Sequence, residues 1–270
     1  FTADVPGLGR ELWRTDGTGP GTLLVKDIRP GPDSGMGLPR FTTLGSQVIF
    51  LANDGIHGFE LWITDGTAAG TNLLADIRPG SNSSSPIDLE VFAGKIFFQA
   101  NDGVTGRELW STDGTAAGTQ LFQDLNPGTL GASPAELRVL GSTLIFRATH
   151  PTLGSELMKT DGTVAGTSVI ADINPGATST NPSQLVLVGG ICFFRATTPA
   201  TGAELWRTDG TAEGTSLVAD LTPGAGHSSF QVEAALASQL VFAFDDGIHG
   251  RELWVSDGTA AGTHILADIL

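Results

Sequence analysis

Three acidic positions recur along this chain, and any chemistry it performs has to be weighed against them first. The glutamates are Glu11, Glu60, Glu108, Glu156, Glu204 and Glu252. One set of aspartates is Asp16, Asp65, Asp113, Asp161, Asp209 and Asp257, and a second is Asp27, Asp76, Asp124, Asp172, Asp220 and Asp268. Together they are 18 of the 29 acidic residues. Carboxylates can move protons, hold hard cations, or accept hydrogen bonds that fix a turn. One substrate needs one set of groups, so sixfold identity speaks for six identical packing needs. The first aspartates precede Gly-Thr and suit a turn in which the carboxylate accepts a backbone N–H two residues on. The glutamates stand two residues before a tryptophan, on the same strand face. If buried, they must be paired, with backbone or arginine donors between neighbouring sheets as the expected partners. Glu60, Asp65, Asp76, Glu108, Asp113 and Asp124 are therefore read as structural residues of the repeat, together with Trp62 and Trp110.

Calcium is the sharpest site hypothesis. The runs Asn53-Asp54-Gly55, Asn101-Asp102-Gly103 and Asp245-Asp246-Gly247 offer oxygen ligands, which makes Asp54, Asp102 and Asp246 the metal candidates. The matching runs Thr149-His150-Pro151 and Thr197-Thr198-Pro199 lack acids, and the spacing falls short of a full EF-hand loop. The five histidines, His57, His150, His227, His249 and His264, show no zinc-binding spacing. No Gly-x-Ser-x-Gly elbow and no Walker loop is present. Trp13, Trp62, Trp110, Trp206 and Trp254 are either core residues or stacking platforms for sugars. Met158 stands in the sixth tryptophan position and favours the core. The units differ most at Arg147, His150, Met158, Lys159 and Arg195, where a catalytic site would have to break the symmetry.

These residues sit in a repeat. The segment Gly-x-Glu-Leu-Trp-x-x-Asp-Gly-Thr-x-x-Gly-Thr begins at Gly9, Gly58, Gly106, Gly154, Gly202 and Gly250, a period of 49 and then 48 residues. Each unit reads as four short strands. A weak strand such as Asp88–Phe92 comes first, and an apolar one such as Val48–Leu51 follows. The Glu-Leu-Trp strand is third, and a fourth such as Leu73–Ile77 ends at Pro79-Gly80. Turn signals about every ten residues leave no window for a helix. Four strands per unit predict an all-β fold, a β-propeller of six four-stranded blades with one blade incomplete. A solenoid, or a fragment of a larger array, is the competing architecture. Residues 1–270 form a single repeat domain, with units beginning near 1, 38, 85, 133, 181 and 230. The first unit opens inside its second strand, without a Met, which leaves any leader upstream open.

The Glu-Leu-Trp-x-x-Asp-Gly-Thr signature resembles that of the ELWxxDGT-repeat proteins of large bacterial proteins, over essentially the whole chain. The resemblance implies an extracellular or cell-surface location and carries over no catalytic residue. Composition adds that nucleic acid is excluded as a partner, because the net charge of −15 repels phosphate. No apolar run is long enough for a transmembrane helix. The lone Cys192, in an apolar strand, packs as a small hydrophobe. The resulting expectation is a non-catalytic structural or protein-interaction module without cofactor. The alternative is a multivalent carbohydrate-binding propeller aided by calcium.

Overall fold

Alternating β-branched and aromatic residues between glycine turns give strands throughout, and the computed structural model contains no helix among the residues it describes, 1–224 and 230–269. The side chains of Leu38 and Pro39 lie outside the described set, as does His227, while the unit start expected near 230 falls on the first described residue after 225–229. The described residues form six antiparallel sheets, in each of which consecutive strands are neighbours. The first sheet holds β1 (Thr2–Val5), β2 (Gly9–Arg14) and β3 (Leu23–Lys26). The second holds β4 (Met36–Leu44), β5 (Gln47–Asn53), β6 (Phe59–Thr64) and β7 (Asn72–Ala75). The third holds β8 (Ile87–Phe92), β9 (Lys95–Asn101), β10 (Arg107–Thr112) and β11 (Gln120–Gln123). The fourth holds β12 (Ala135–Leu140), β13 (Thr143–His150), β14 (Gly154–Thr160) and β15 (Ser168–Val169). The fifth holds β16 (Ser183–Val188), β17 (Ile191–Thr198), β18 (Gly202–Thr208) and β19 (Ser216–Ala219). The sixth holds β20 (Gln231–Ala235), β21 (Leu240–Asp245), β22 (Arg251–Ser256) and β23 (His264–Ala267). The chain divides into two compact units, Phe1–Ser133 and Pro134–Leu270, of three sheets each.

Within each unit, sheets stack by one rule. A sheet turns its Ile/Leu face towards the Phe-Ala-Trp face of the next. Ile49, Leu61, Ile63 and Leu74 meet Ile96, Phe98, Ala100 and Trp110 in the first unit. Ile145, Leu157 and Ile170 meet Leu185, Cys192, Phe194 and Ala196 in the second. Covered on both faces, the apolar second strands need no alternation. The fourth strands are shorter than the sequence suggests. β7 stops at Ala75 rather than Ile77, because the Ile77 N–H turns away from the ladder to donate to Glu60.

Candidate functional site

The last two strands of every sheet are joined by the same corner, built from Thr-Asp-Gly-Thr-x-x-Gly-Thr with Ser256 in place of the first threonine in the sixth sheet. At Asp65, Oδ1 accepts both the Thr67 N–H (2.8 Å) and the Thr67 hydroxyl (2.7 Å). The Thr67 oxygen in turn accepts the Gly70 N–H at 3.0 Å, and Thr71 donates to the Thr67 carbonyl at 2.6 Å. The same Asp-to-Thr bonds recur at Asp16, Asp113, Asp161, Asp209 and Asp257. The Thr67 hydroxyl, helped by its N–H, holds Asp65 below the usual carboxylate range. Gly66 has φ of +88°, where a side chain is strained. Gly70 is required for a different reason, since a Cβ there would overlap the Asp65 carboxylate.

The glutamates act at the other end of the sheets. Glu60 accepts the Ile77 N–H at 3.1 Å and the Ser84 N–H at 2.8 Å, and the Ser84 hydroxyl also donates to it. Glu108 accepts Leu125 (2.9 Å), Asn126 (3.2 Å) and Ala132 (2.7 Å). Glu11, Glu156 and Glu204 do the same with their own linkers. Glu11, Glu60 and Glu108 thus pin both the end of their sheet's last strand and the linker leaving it, Glu204 holds Leu221 and Thr222 just after β19, and Glu156 holds Thr180 of the linker. Of the two kinds of donor expected, backbone and arginine, these glutamates use backbone N–H groups, which come from their own linkers rather than from a neighbouring sheet because the last strand, on ending, frees donors next to the carboxylate. The six glutamates are buried. Burial pushes Glu108 and Glu156 up to about 7 against the pull of their donors, and Asp124 and Asp172 add like-charge repulsion. Asp76 acts on Glu60 in the same way, after burial itself. Asp27 and Asp124 each keep one carboxylate oxygen buried and without a hydrogen-bond partner.

The tryptophans are packing residues. Trp62, Trp110 and Trp254 are buried, as is Met158, while Trp13 and Trp206 are half-buried. Trp62 lies opposite Phe50, and Trp254 stacks on Phe242 with centroids 6.4 Å apart. Cys192 is buried and its thiol is pushed up to about 12 by burial.

The loops between second and third strands carry the calcium candidates, and their oxygens serve those loops. Asp54 Oδ1 accepts the N–H groups of Ile56 and His57, both at 2.9 Å, and Oδ2 lies 2.7 Å from His57 Nδ1. Asp246 repeats this with Ile248 and His249. Asp102 accepts Val104 and Thr105 N–H groups, both at 2.8 Å. Among the described residues, no group of three or more His, Cys, Asp or Glu side chains could hold a metal ion. What these loops present outward is aliphatic: Ile56 is 67% exposed, Val104 73% and Ile248 82%.

The residues that differ between units do not converge. Met158 pairs with Phe146 and Arg147 with Leu157, which puts Met158 and Arg147 on opposite faces of the fourth sheet. Lys159 donates to the Gly210 carbonyl at 2.7 Å, a strut from one sheet to the next corner, as Arg14 does to Gly66. His150 Nδ1 faces the Thr152 hydroxyl at 3.2 Å, and Arg195 sits on β17 in the fifth sheet.

Sequence reading missed a further set on the first strands. Asp88, Glu136 and Gln184 have φ of +54°, +57° and +57° at a bulge in each strand. Glu136 accepts the Leu185 N–H at 2.8 Å and Gln184 accepts the Val232 N–H at 3.0 Å, so each reaches the first strand of the next sheet. The signal was present as Ser85-Pro86-Ile87-Asp88-Leu89, Ser133-Pro134-Ala135-Glu136-Leu137 and Asn181-Pro182-Ser183-Gln184-Leu185.

No protein-family model and no curated protein matches the chain. Solved structures do. A prolyl endopeptidase is 12% identical over 92% of this chain and 36% of its own, with a TM-score of 0.55. Oligopeptidase B from Leishmania major is 11% identical over 87% of this chain and 35% of its own, with a TM-score of 0.54. A puromycin-hydrolyzing peptidase of Mycobacterium tuberculosis is 13% identical over 98% of this chain and 42% of its own, with a TM-score of 0.50. The chain therefore spans less than half the length of these peptidases. The likeness is one of fold, to their β-propeller domains.

Proposed function

We propose that this chain is a non-catalytic β-propeller module of the ELWxxDGT-repeat type, six blades with the first incomplete, that binds a protein partner in an extracellular bacterial setting. One observation carries the reading. The recurrent glutamates and corner aspartates are engaged with their own backbone and the tryptophans pack between sheets, whereas the loops between second and third strands vary and expose Ile56, Val104 and Ile248. Variable loops with aliphatic tips, held on a rigid frame, suit contact with another protein. The same burial of Trp62, Trp110 and Trp254 speaks against a lectin, which needs an exposed ring for each sugar. The solved peptidases lend the architecture; their activity belongs to chains more than twice as long. A photo-crosslinker placed at Ile56 or Val104 is expected to trap a protein on the cell surface, whereas the same group at Thr67 traps none. Equal trapping at both places, or a glycan array that lights up with calcium, would replace this reading. Turnover in a peptidase and glycosidase panel would end it.

A further inference from the structure

The sequence holds nine Asp-Gly steps, at Asp16, Asp54, Asp65, Asp102, Asp113, Asp161, Asp209, Asp246 and Asp257. This dipeptide is prone to rearrange its own backbone, because glycine, without a Cβ, lets its nitrogen swing onto the carboxyl before it. A bond forms from the glycine nitrogen to the aspartate Cγ, and the carboxyl hydroxyl leaves with the amide proton as water. The resulting succinimide takes up water at either carbonyl, which returns aspartate or yields isoaspartate, with the main chain running through the side-chain carbon. The reaction needs a glycine nitrogen free to attack and a carboxyl that carries a proton, so that water can leave.

Both needs are opposed here. At all nine steps the glycine N–H donates to the side chain of the residue before the aspartate. In the corners the acceptor is the hydroxyl of Thr15, Thr64, Thr112, Thr160, Thr208 or Ser256, at 2.9–3.1 Å. In the loops it is Oδ1 of Asn53, Asn101 or Asp245, at 2.7–2.9 Å. Corner and loop differ in shape and in neighbours, yet the position before Asp-Gly always carries an oxygen within reach of that amide. The loops without Asp-Gly have Pro6, Pro151 and Pro199 at the place of the glycine, and proline has no N–H to hold. The threonine hydroxyl two residues on, helped by its N–H, holds the six corner carboxyls below their usual range, which keeps them ionised.

We propose that the side chain before each Asp-Gly step is a guard against isoaspartate formation, a role separate from folding. The corner turn needs Asp-Gly for its shape, and the threonine that opens the motif protects the backbone from the chemistry which that dipeptide brings. The guard is independent of the loop tips and of the partner proposed for them.

The test ages the full chain at neutral pH, counts isoaspartate by enzymatic methyl transfer and places it by peptide mass spectrometry. Thr64→Val keeps the side-chain shape and removes the acceptor. It is expected to raise isoaspartate at Asp65 about fivefold, the factor in one hydrogen bond that must open before attack. Thr64→Ser, the residue found at Ser256, is expected to keep the parent rate. Asn101→Ala removes the guard of Gly103 in a loop and is expected to raise isoaspartate at Asp102 likewise. Thr64 also shares a hydrogen bond with the Thr71 hydroxyl at 2.7 Å, so Ile49→Val, in the core of the same sheet, supplies a loss of stability away from the corner; it is expected to leave isoaspartate at the parent level. The proposal is overturned if Thr64→Val and Asn101→Ala both stay within about twofold of the parent. It is overturned equally if Ile49→Val raises isoaspartate at Asp65 as much as Thr64→Val does, or if a free peptide of Leu61–Gly70 isomerises no faster than the folded chain.

Discussion

Asp65-Gly66-Thr67 and Asp54-Gly55-Ile56 read almost alike, and both fold as turns in which the aspartate accepts the N–H two residues on. They do opposite work. In the corner, the third residue is a threonine whose hydroxyl returns to Asp65 and whose oxygen gathers in Gly70. In the loop, the third residue is an isoleucine that leaves the turn and stands in solvent. One side chain thus decides whether an Asp-Gly turn becomes a closed joint or a contact point. The closed form occurs in all six sheets; the open form occurs only at Asp54, Asp102 and Asp246.

Substitutions can break this contrast from either side. Gly70→Ala has the largest expected effect, about 3 kcal/mol, because a Cβ and the Asp65 carboxylate compete for one place; urea unfolding measures it, and a loss below about 0.5 kcal/mol would mean that the corner yields. Thr67→Ile converts a joint into a tip and is expected to cost about 1–2 kcal/mol for its lost hydrogen bonds. The reverse exchange, Ile56→Thr, is expected to stay within about 0.5 kcal/mol of the parent in stability while removing the crosslinked partner. If Ile56→Thr destabilises as much as Thr67→Ile, the two turns are not distinct in kind.

Titration sharpens the contrast further. Glu108 and Glu156 have folded pKa values raised to about 7 from an ordinary 4.5, chiefly by burial. The folded chain then binds more protons than the unfolded one between these values, so stability is greatest below 4.5 and falls as the pH rises through about 7. Glu108→Gln is expected to flatten part of that slope in melting temperatures taken from pH 4.5 to 7.5. A parent chain that gains stability over this range would contradict the burial argument. The smallest effect belongs to the loop tips. The Asp54 carboxylate raises the pKa of His57 above 6.5, so its contribution is present below that pH and is lost above the folded value. Asp54→Asn is expected to return the His57 proton titration, followed by NMR, towards 6.5.

Much of this was legible in the sequence, because it is local. The 48-residue period, the four strands and the corner turn depend on residues within a few places of one another. The core role of Trp62 could be read from Met158, which packs in its place but cannot serve as a platform. What was not legible depends on distance. The donors for Glu60 come 17 and 24 residues later, from backbone that becomes available only when β7 ends. The bulges at Asp88, Glu136 and Gln184 are non-glycine residues in left-handed conformation, a choice that no local preference predicts and that, for Glu136 and Gln184, bonds to the next sheet support.

The reach of the glutamate has a consequence for how such a chain arose. Glu60 fastens to Ile77 and Ser84, and Glu108 to Leu125 and Ala132, so both bonds close within a single 48-residue period. A duplicated stretch of gene coding for one period therefore arrives with its own fastenings. Of its neighbours it asks an apolar face to rest against and a few bonds between sheets, such as Lys159 to the Gly210 carbonyl and the Leu185 N–H to Glu136. Lengthening the array by whole cassettes is then the change that the fold resists least, and a cut at any other spacing separates a carboxylate from the amides it was placed to hold.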